Sequence, residues 1–246
     1  MRSRTPQATG PTFLNEKSAR KQAERQLFTD AASGGEQTPS IDWNPAPTVA
    51  PALLTSQRVR LRPWTDADRG PFAAMTANPD VMRHFPAVLS RTESDAWIDR
   101  TMRKTSERGW GFWALDYLAE GAPAPQFAGF TGLNIPEPQL PLGPCVEVGW
   151  RLAPQFWGLG LASEAAGLAL RAGFESLGLD EIVAITTLRN TRSRAVMQRL
   201  GMQESPADEF DHPAFPPDSI ERHCCVYRLK RARWSDNLLL NVPTQG

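Results

Sequence analysis

The chain has 246 residues, room for one substantial domain with extensions, and its 27 Lys and Arg balance its 27 Asp and Glu. That balance argues against a whole-molecule basic field for nucleic acid or an anionic membrane surface. Three cysteines, two of them adjacent at Cys224 and Cys225, fit neither a disulfide framework nor a zinc-ligand spacing, and no apolar run approaches the roughly 20 residues that span a bilayer.

The opening MRSRTPQATGPTFLNEKSARKQ lacks the apolar segment of a secretory signal, so the expectation is a cytoplasmic protein with reduced thiols and no metal. Residues 1–55 read as a disordered or loosely ordered extension, because ASGGEQTPSIDWNPAPTVAPA is rich in Gly, Pro, Ser and Thr and offers little to bury. The folded domain is expected over residues 56–233, with a tail at 234–246. It opens on SQRVRLRPW, where Val59 and Leu61 alternate with Arg60 and Arg62 at the period of a half-exposed strand. Thr65 caps a helix in TDADRGPFAAM, and Asn78 before Pro79 marks a second helix start in NPDVMRHF. TESDAWIDRTMRKTSERG reads as a helix capped by Thr92, with Ala96, Ile98 and Met102 as its apolar stripe and Gly109 as its stop. Strands are expected at Trp110–Leu115 and Phe127–Leu133, then, after the proline-rich NIPEPQLPLGP, in CVEVGWRL. A helix runs from the glycines of QFWGLGLASEAA to Leu177, with Gly178 as its stop. EIVAIT is an apolar strand, NTRSRAVMQRLGM a helix capped by Asn190, and HCCVYRL the last strand. This order gives an α/β domain of the α+β kind with a mixed sheet.

The succession strand, Gly-x-Gly, helix, strand suits an anion. The first N–H groups of a helix have no intrahelical partner, and the helix dipole adds partial positive charge there. Gly158, Gly160 and the small Ala162 would let a phosphate approach. A P-loop is excluded, since Leu161 and Ala162 stand where Lys-Ser/Thr is needed. A dinucleotide site fits poorly, because Ala153–Trp157 separate strand from glycines and the acids Asp180 and Glu181 precede the next strand. The remaining reading is a pyrophosphate at the end of a long, thin cofactor lying beside VEVGWRL.

EVGWRLAPQFWGLGLASEAAGLAL followed by IVAITTLRNTRSRAVMQRLGM resembles the acetyl-CoA-binding core of the GNAT superfamily of N-acetyltransferases. With RVRLRPW and NPDVMRHF it looks more narrowly like the RimJ/RimL-like branch, and the resemblance covers about residues 57–230. The resemblance implies a mostly antiparallel central sheet flanked by helices, and acetyl-CoA as co-substrate. It implies that main-chain groups of Trp150, Arg151 and Leu152 pair with the pantetheine arm, as an added strand pairs with a sheet edge. The turn Trp157, Gly158, Leu159, Gly160, Leu161 and Ala162, with Ser163 inside the helix, would hold the pyrophosphate. Trp157 occupies a position often filled by Arg or Gln, which leaves the backbone to supply most of that binding. Asn190 would contact the cofactor through its amide or simply cap its helix, and Ser193 lies one turn further on the same face.

The reaction needs a nucleophilic amine. A lysine-like amine, with a pKa near 10.4, is deprotonated in only about one molecule in a thousand at neutral pH, and an α-amine is far easier to deprotonate. Glu147, amid Val146, Val148 and Trp150, is the candidate base; the competing role is a strand-surface acid paired with Arg151 or another arginine. Where many relatives carry a tyrosine to protonate the leaving thiolate, this chain has Met197, so Ser193 or a water would have to substitute. His84 would reach the acceptor side, and Asp208, Glu209 and Asp211 would attract a cationic amine or form a solvated loop. The expected function is direct acetyl transfer to a primary amine of a small molecule or a protein N-terminus, by a monomer or homodimer. The alternative is a non-catalytic acyl-CoA-binding module of the same fold.

Overall fold

The structure, a computed structural model, describes Val49 and residues 54–234. The extension expected over 1–55 and the tail at 234–246 fall almost wholly outside the described residues. Along the chain run β1 (Val59–Arg62), α1 (Arg69–Thr76), α2 (Arg91–Arg108), β2 (Phe112–Tyr117), β3 (Gln126–Asn134) and β4 (Glu147–Leu152). They are followed by α3 (Leu161–Arg171), β5 (Glu181–Thr187), α4 (Thr191–Arg199), β6 (Gln203–Glu204), β7 (Phe210–Asp211) and β8 (His223–Lys230). The strands form one sheet in the order β1-β2-β3-β4-β5-β8-β6, with β7 also on β8. Every pairing is antiparallel except β4 with β5.

Three local expectations need correcting. Asn78 starts no helix: its Oδ1 accepts from the Asp80 N–H at 2.8 Å and its carbonyl from Met82 at 3.1 Å, but only turns follow. Pro86 disfavours helical backbone at Phe85 and ends the attempt. The long helix α2 is capped by Ser90 rather than Thr92. Ser90 accepts from the Glu93 N–H, and the Glu93 carboxylate accepts from the Ser90 N–H at 2.7 Å, a capping box. Its buried face is Ser94, Ile98 and Thr101, while Met102 points to solvent.

The two faces of the sheet are covered differently. α1 and α2 lie over Phe112 and Phe130, through a cluster in which Phe72 stacks on Trp97 at 4.8 Å and Trp97 meets Phe130 at 4.9 Å. α3 covers the opposite face and runs on into a π-helical turn, Ala172–Ser176. A Cβ on Gly173 in that turn would come within 2.6 Å of Ile182, so glycine lets helix and sheet approach. On the outer strand β1, Arg62 donates to Asp68 and Asp116, both buried carboxylates, and Arg60 adds a bond of 2.7 Å to Asp116.

Candidate active site

β4 and β5 pair at one position only, Glu147 opposite Val183, with the Val183 N–H donating to the Val146 carbonyl at 2.9 Å. Beyond that vertex the strands part, and the gap opens toward the end of β4 where the glycines stand. The Ala153 N–H donates to the Ala128 carbonyl, directly opposite in the β3–β4 register. Antiparallel alternation then turns the main-chain groups of Arg151, Gly149 and Glu147 toward β3, and those of Val148, Trp150 and Leu152 toward the gap. The Leu152 carbonyl is taken by the Trp157 indole N–H at 2.8 Å. The expectation for Trp150 and Leu152 is compatible with this register. The expectation for Arg151 is not, because its main chain is spent on β3 and only its side chain is free to act.

At the glycine turn, Gly158 and Gly160 have φ of 78° and 77°, left-handed values that favour glycine. A Cβ on Gly158 would meet no atom within 4 Å, so the turn borders open space. Gly160 is the N-cap of α3, and its carbonyl accepts from Glu164. Among the described residues, none accepts from the N–H groups of Gly158, Leu159, Gly160, Leu161, Ala162 or Ser163. These donors, at a helix N-terminus, fit a pyrophosphate. The Ser163 side chain, by contrast, is buried and accepts from Arg199 Nε at 3.3 Å, so only its main chain faces the turn. Trp157 does not leave the turn without charge: the Arg192 guanidinium stacks over its ring at 4.7 Å. Arg58 binds the Leu159 carbonyl at 3.1 Å and the Glu164 carboxylate.

Asn190 is engaged within the protein. Its Oδ1 accepts from the Ser193 N–H at 3.2 Å, and its Nδ2 donates to Thr186 Oγ1 at 3.0 Å. Ser193 is half-buried on the first turn of α4, whereas Met197 is buried in the core.

On the α1/α2 face, β4 presents Glu147, Gly149 and Arg151, and β5 presents Val183, Ile185 and Thr187. Glu147 is half-buried, and Asn134 Nδ2 donates to its Oε1 at 3.0 Å. Burial pushes its carboxyl above the ordinary range, the Asn134 bond works against that shift, and Glu137 reinforces it. No arginine pairs with Glu147 among the described residues, so the surface-ion-pair role is not what the structure shows. The segment after α1 crosses this face: His84 Nδ1 lies 2.8 Å from Glu221 Oε2, Thr187 Oγ1 donates to the same oxygen at 2.7 Å, and Phe85 packs on Arg151. Glu221 was invisible in the sequence, since 137 residues separate it from His84. Asn134 and Arg192 were missed too; only the strand register and the helix phase bring them to the site.

The carboxylates of the acidic loop have partners within the protein. Asp208 pairs with Arg228 at 2.7 Å, and Glu209 and Asp211 flank His223 at 3.0 and 3.1 Å. The cysteine thiols are held up by burial, Cys145 and Cys225 to about 11 and Cys224 to about 12. Among the described residues, no three His, Cys, Asp or Glu are grouped to hold a metal, and no helix is long and apolar enough to cross a membrane.

An open parallel strand pair, with a half-buried carboxylate at its vertex and a helix N-terminus of free N–H groups beyond its mouth, defines the class of acyl-CoA-dependent N-acyltransferases. The family model described as "Acetyltransferase (GNAT) domain" matches residues 58–203, and the chain belongs to that family as an acetyl-CoA-dependent N-acetyltransferase. It is 31% identical over 196 residues to the "FsC-acetyl coenzyme A-N(2)-transacetylase" of Aspergillus fumigatus, covering 75% of this chain and 79% of that one. It is 39% identical over 151 residues to the "Uncharacterized N-acetyltransferase YnaD" of Bacillus subtilis, covering 61% and 82% of the two chains. The crystal structure of an acetyltransferase from Agrobacterium tumefaciens superposes with a TM-score of 0.57 at 25% identity, covering 80% of this chain and 99% of that one.

Proposed function

We propose that the chain is a RimJ/RimL-like enzyme that acetylates a primary amine of a small molecule or a protein N-terminus, with Glu147 as general base. The parting of β4 from β5 just beyond Glu147 carries the reading, because it leaves main-chain groups of Val148 and Trp150 unpaired beside that carboxylate. Those groups, with the Leu152 N–H, bind the pantetheine arm, and the N–H groups of Gly158 to Ser163 bind the pyrophosphate. Asn190 caps α4 and holds Thr186 in place at the cofactor side. Acetyl-CoA supplies the activated acyl group when bound. Glu147 takes the proton from the amine nitrogen, directly or through one water, and its raised pKa makes it a better acceptor than a solvated carboxylate. Met197 has no proton to give, so the Ser193 hydroxyl or a water protonates the leaving thiolate. A cytoplasmic setting is part of the proposal and is supported by three free cysteines. The protein acts as a monomer or homodimer.

The test is thiol release from acetyl-CoA across a panel of amines, run beside calorimetric titration of CoA. Binding together with amine-dependent release supports the reading. Binding without release for any amine would reduce the chain to an acyl-CoA-binding module, and absence of binding would remove the cofactor assignment as well.

A further inference from the structure

We infer that the acceptor carries a carboxylate, bound by the side chain of Arg151 on the same face of β4 that presents Glu147. This rests on the acetyl-transfer reading and adds the chemical class of the acceptor.

What marks the arginine is burial combined with the lack of an anion. Arg58, Arg60, Arg62, Arg69, Arg194 and Arg228 each meet a carboxylate. Arg151 meets none among the described residues. Its guanidinium lies 3.8 Å from the centre of the Phe85 ring and 5.4 Å from that of Phe130, and its Nε is sealed from solvent without a hydrogen-bond partner. Burial alone has pushed its pKa down to about 9. Stacking on an aromatic face returns about 0.5–2 kcal/mol. Removing an ion from water costs several kcal/mol, and that cost is ordinarily offset by pairing. The residue retains partial exposure, so an incoming anion can reach it.

The position says whose anion it is. The phosphates of the co-substrate belong at the glycine turn, which leads into α3 on the opposite face of the sheet. Arg151 faces the α1/α2 side with Glu147, four residues along one strand and therefore about 13 Å away between Cα atoms, less the length of its own side chain. A molecule that places its amine at Glu147 and an anion at Arg151 has several bonds between the two. A monoanion suits the site better than a phosphate. The Arg151 guanidinium, which meets no carboxylate among the described residues, shares this face with the carboxylates of Glu147 and Glu221, and Arg189 is already turned to Glu221 at 3.4 Å. The planar fork of arginine matches a carboxylate with two parallel bonds.

The experiment uses a homologous series of ω-amino carboxylates and the matching ω-amino amides, read by calorimetry on the CoA-loaded protein and by thiol release with acetyl-CoA. In the wild type the best carboxylate should exceed its amide by about tenfold or more in affinity and in kcat/KM. In Arg151→Gln that ratio should collapse to about unity, and in Arg151→Lys, which keeps the charge and loses the fork, it should be intermediate. The melting temperature of Arg151→Gln should hold or rise, because an unpaired buried charge has been removed. A structural arginine predicts the reverse, an unchanged ratio with a lower melting temperature. No preference in the wild type in either assay, or a preference that survives in Arg151→Gln, overturns the inference. Carboxylate binding that depends on Arg151 but brings no thiol release would sink the acetyl-transfer reading and leave the anion site standing.

Discussion

Replacing Glu147 with Gln keeps the shape of the side chain and the oxygen that accepts from Asn134 Nδ2 at 3.0 Å, and removes only the ability to take a proton. General-base catalysis contributes about 10²- to 10⁴-fold, so turnover should fall by that amount. Acetyl-CoA affinity should hold, because Glu147 spends its main chain on β3 and its side chain lies on the face proposed for the acceptor. The pH profile sharpens the test. Burial raises the carboxyl pKa, so wild-type activity should climb as pH passes through that raised value, and this limb should be missing from Glu147→Gln. The deficit should then shrink at higher pH, where more of the amine is already deprotonated.

Stability gives an independent sign. A carboxyl whose folded pKa lies above its unfolded value favours the folded state below the unfolded value, and that contribution is lost as pH rises through the folded one. Glu147→Gln should therefore gain stability relative to wild type as pH rises above the ordinary glutamate range, and lose that advantage on acidification. Stopped-flow thiol release from pH 5 to 9, paired with thermal melts, reads both effects. Near-wild-type turnover throughout, or a lower melting temperature with an unchanged pH profile, would refute the base assignment.

Gly158→Ala adds a Cβ that meets no atom within 4 Å of the protein, so folding should lose only the backbone strain of about 1–2 kcal/mol, while calorimetry should show acetyl-CoA affinity down by at least about tenfold. Arg192→Ala removes the guanidinium stacked on Trp157; affinity should fall about three- to tenfold, and titrations at rising salt should show a weaker ionic-strength dependence than wild type. Arg62→Ala should cost about 3 kcal/mol by denaturant melts, because Asp68 loses its arginine while Asp116 keeps Arg60. Burial pushes the Asp68 carboxyl upward, but the bonds from Arg62 and Thr65 hold it below the usual range, so this stabilisation is present above the ordinary aspartate pKa and fades as pH falls through the depressed one.

What the residues announced and what they concealed divide along physical lines. The glycine turn was legible because strand, two glycines and helix are consecutive, and left-handed backbone has few other tenants. Helix ends were less legible, since Ser90 and Thr92 offer the same hydroxyl two residues apart, and the reciprocal bond from Glu93 decides between them. Met102 fitted the helical period, yet the tertiary contacts of α2 chose Ile98 and Thr101. Arg151 was placed with the cofactor through its main chain, but whether a β4 residue faces β3 or the gap alternates with each step of register, which no local pattern reveals. The contact of His84 with Glu221 is purely a product of topology.

The single pairing of Glu147 with Val183 also bears on how the molecule comes apart. β1 to β4 form one antiparallel ribbon and β5 to β8 another, and the ladder between the two has a single rung. A co-substrate arm that lies in the gap as a surrogate strand would rivet the ribbons together and bind only the assembled form. Occupancy should then show as slowed amide exchange in β5, and as a melting curve that steepens on loading because two cooperative blocks have been welded into one. After each turnover the departing thiol would hand the sheet back with its seam open, so the interval before reloading is when this enzyme is most exposed to heat and protease.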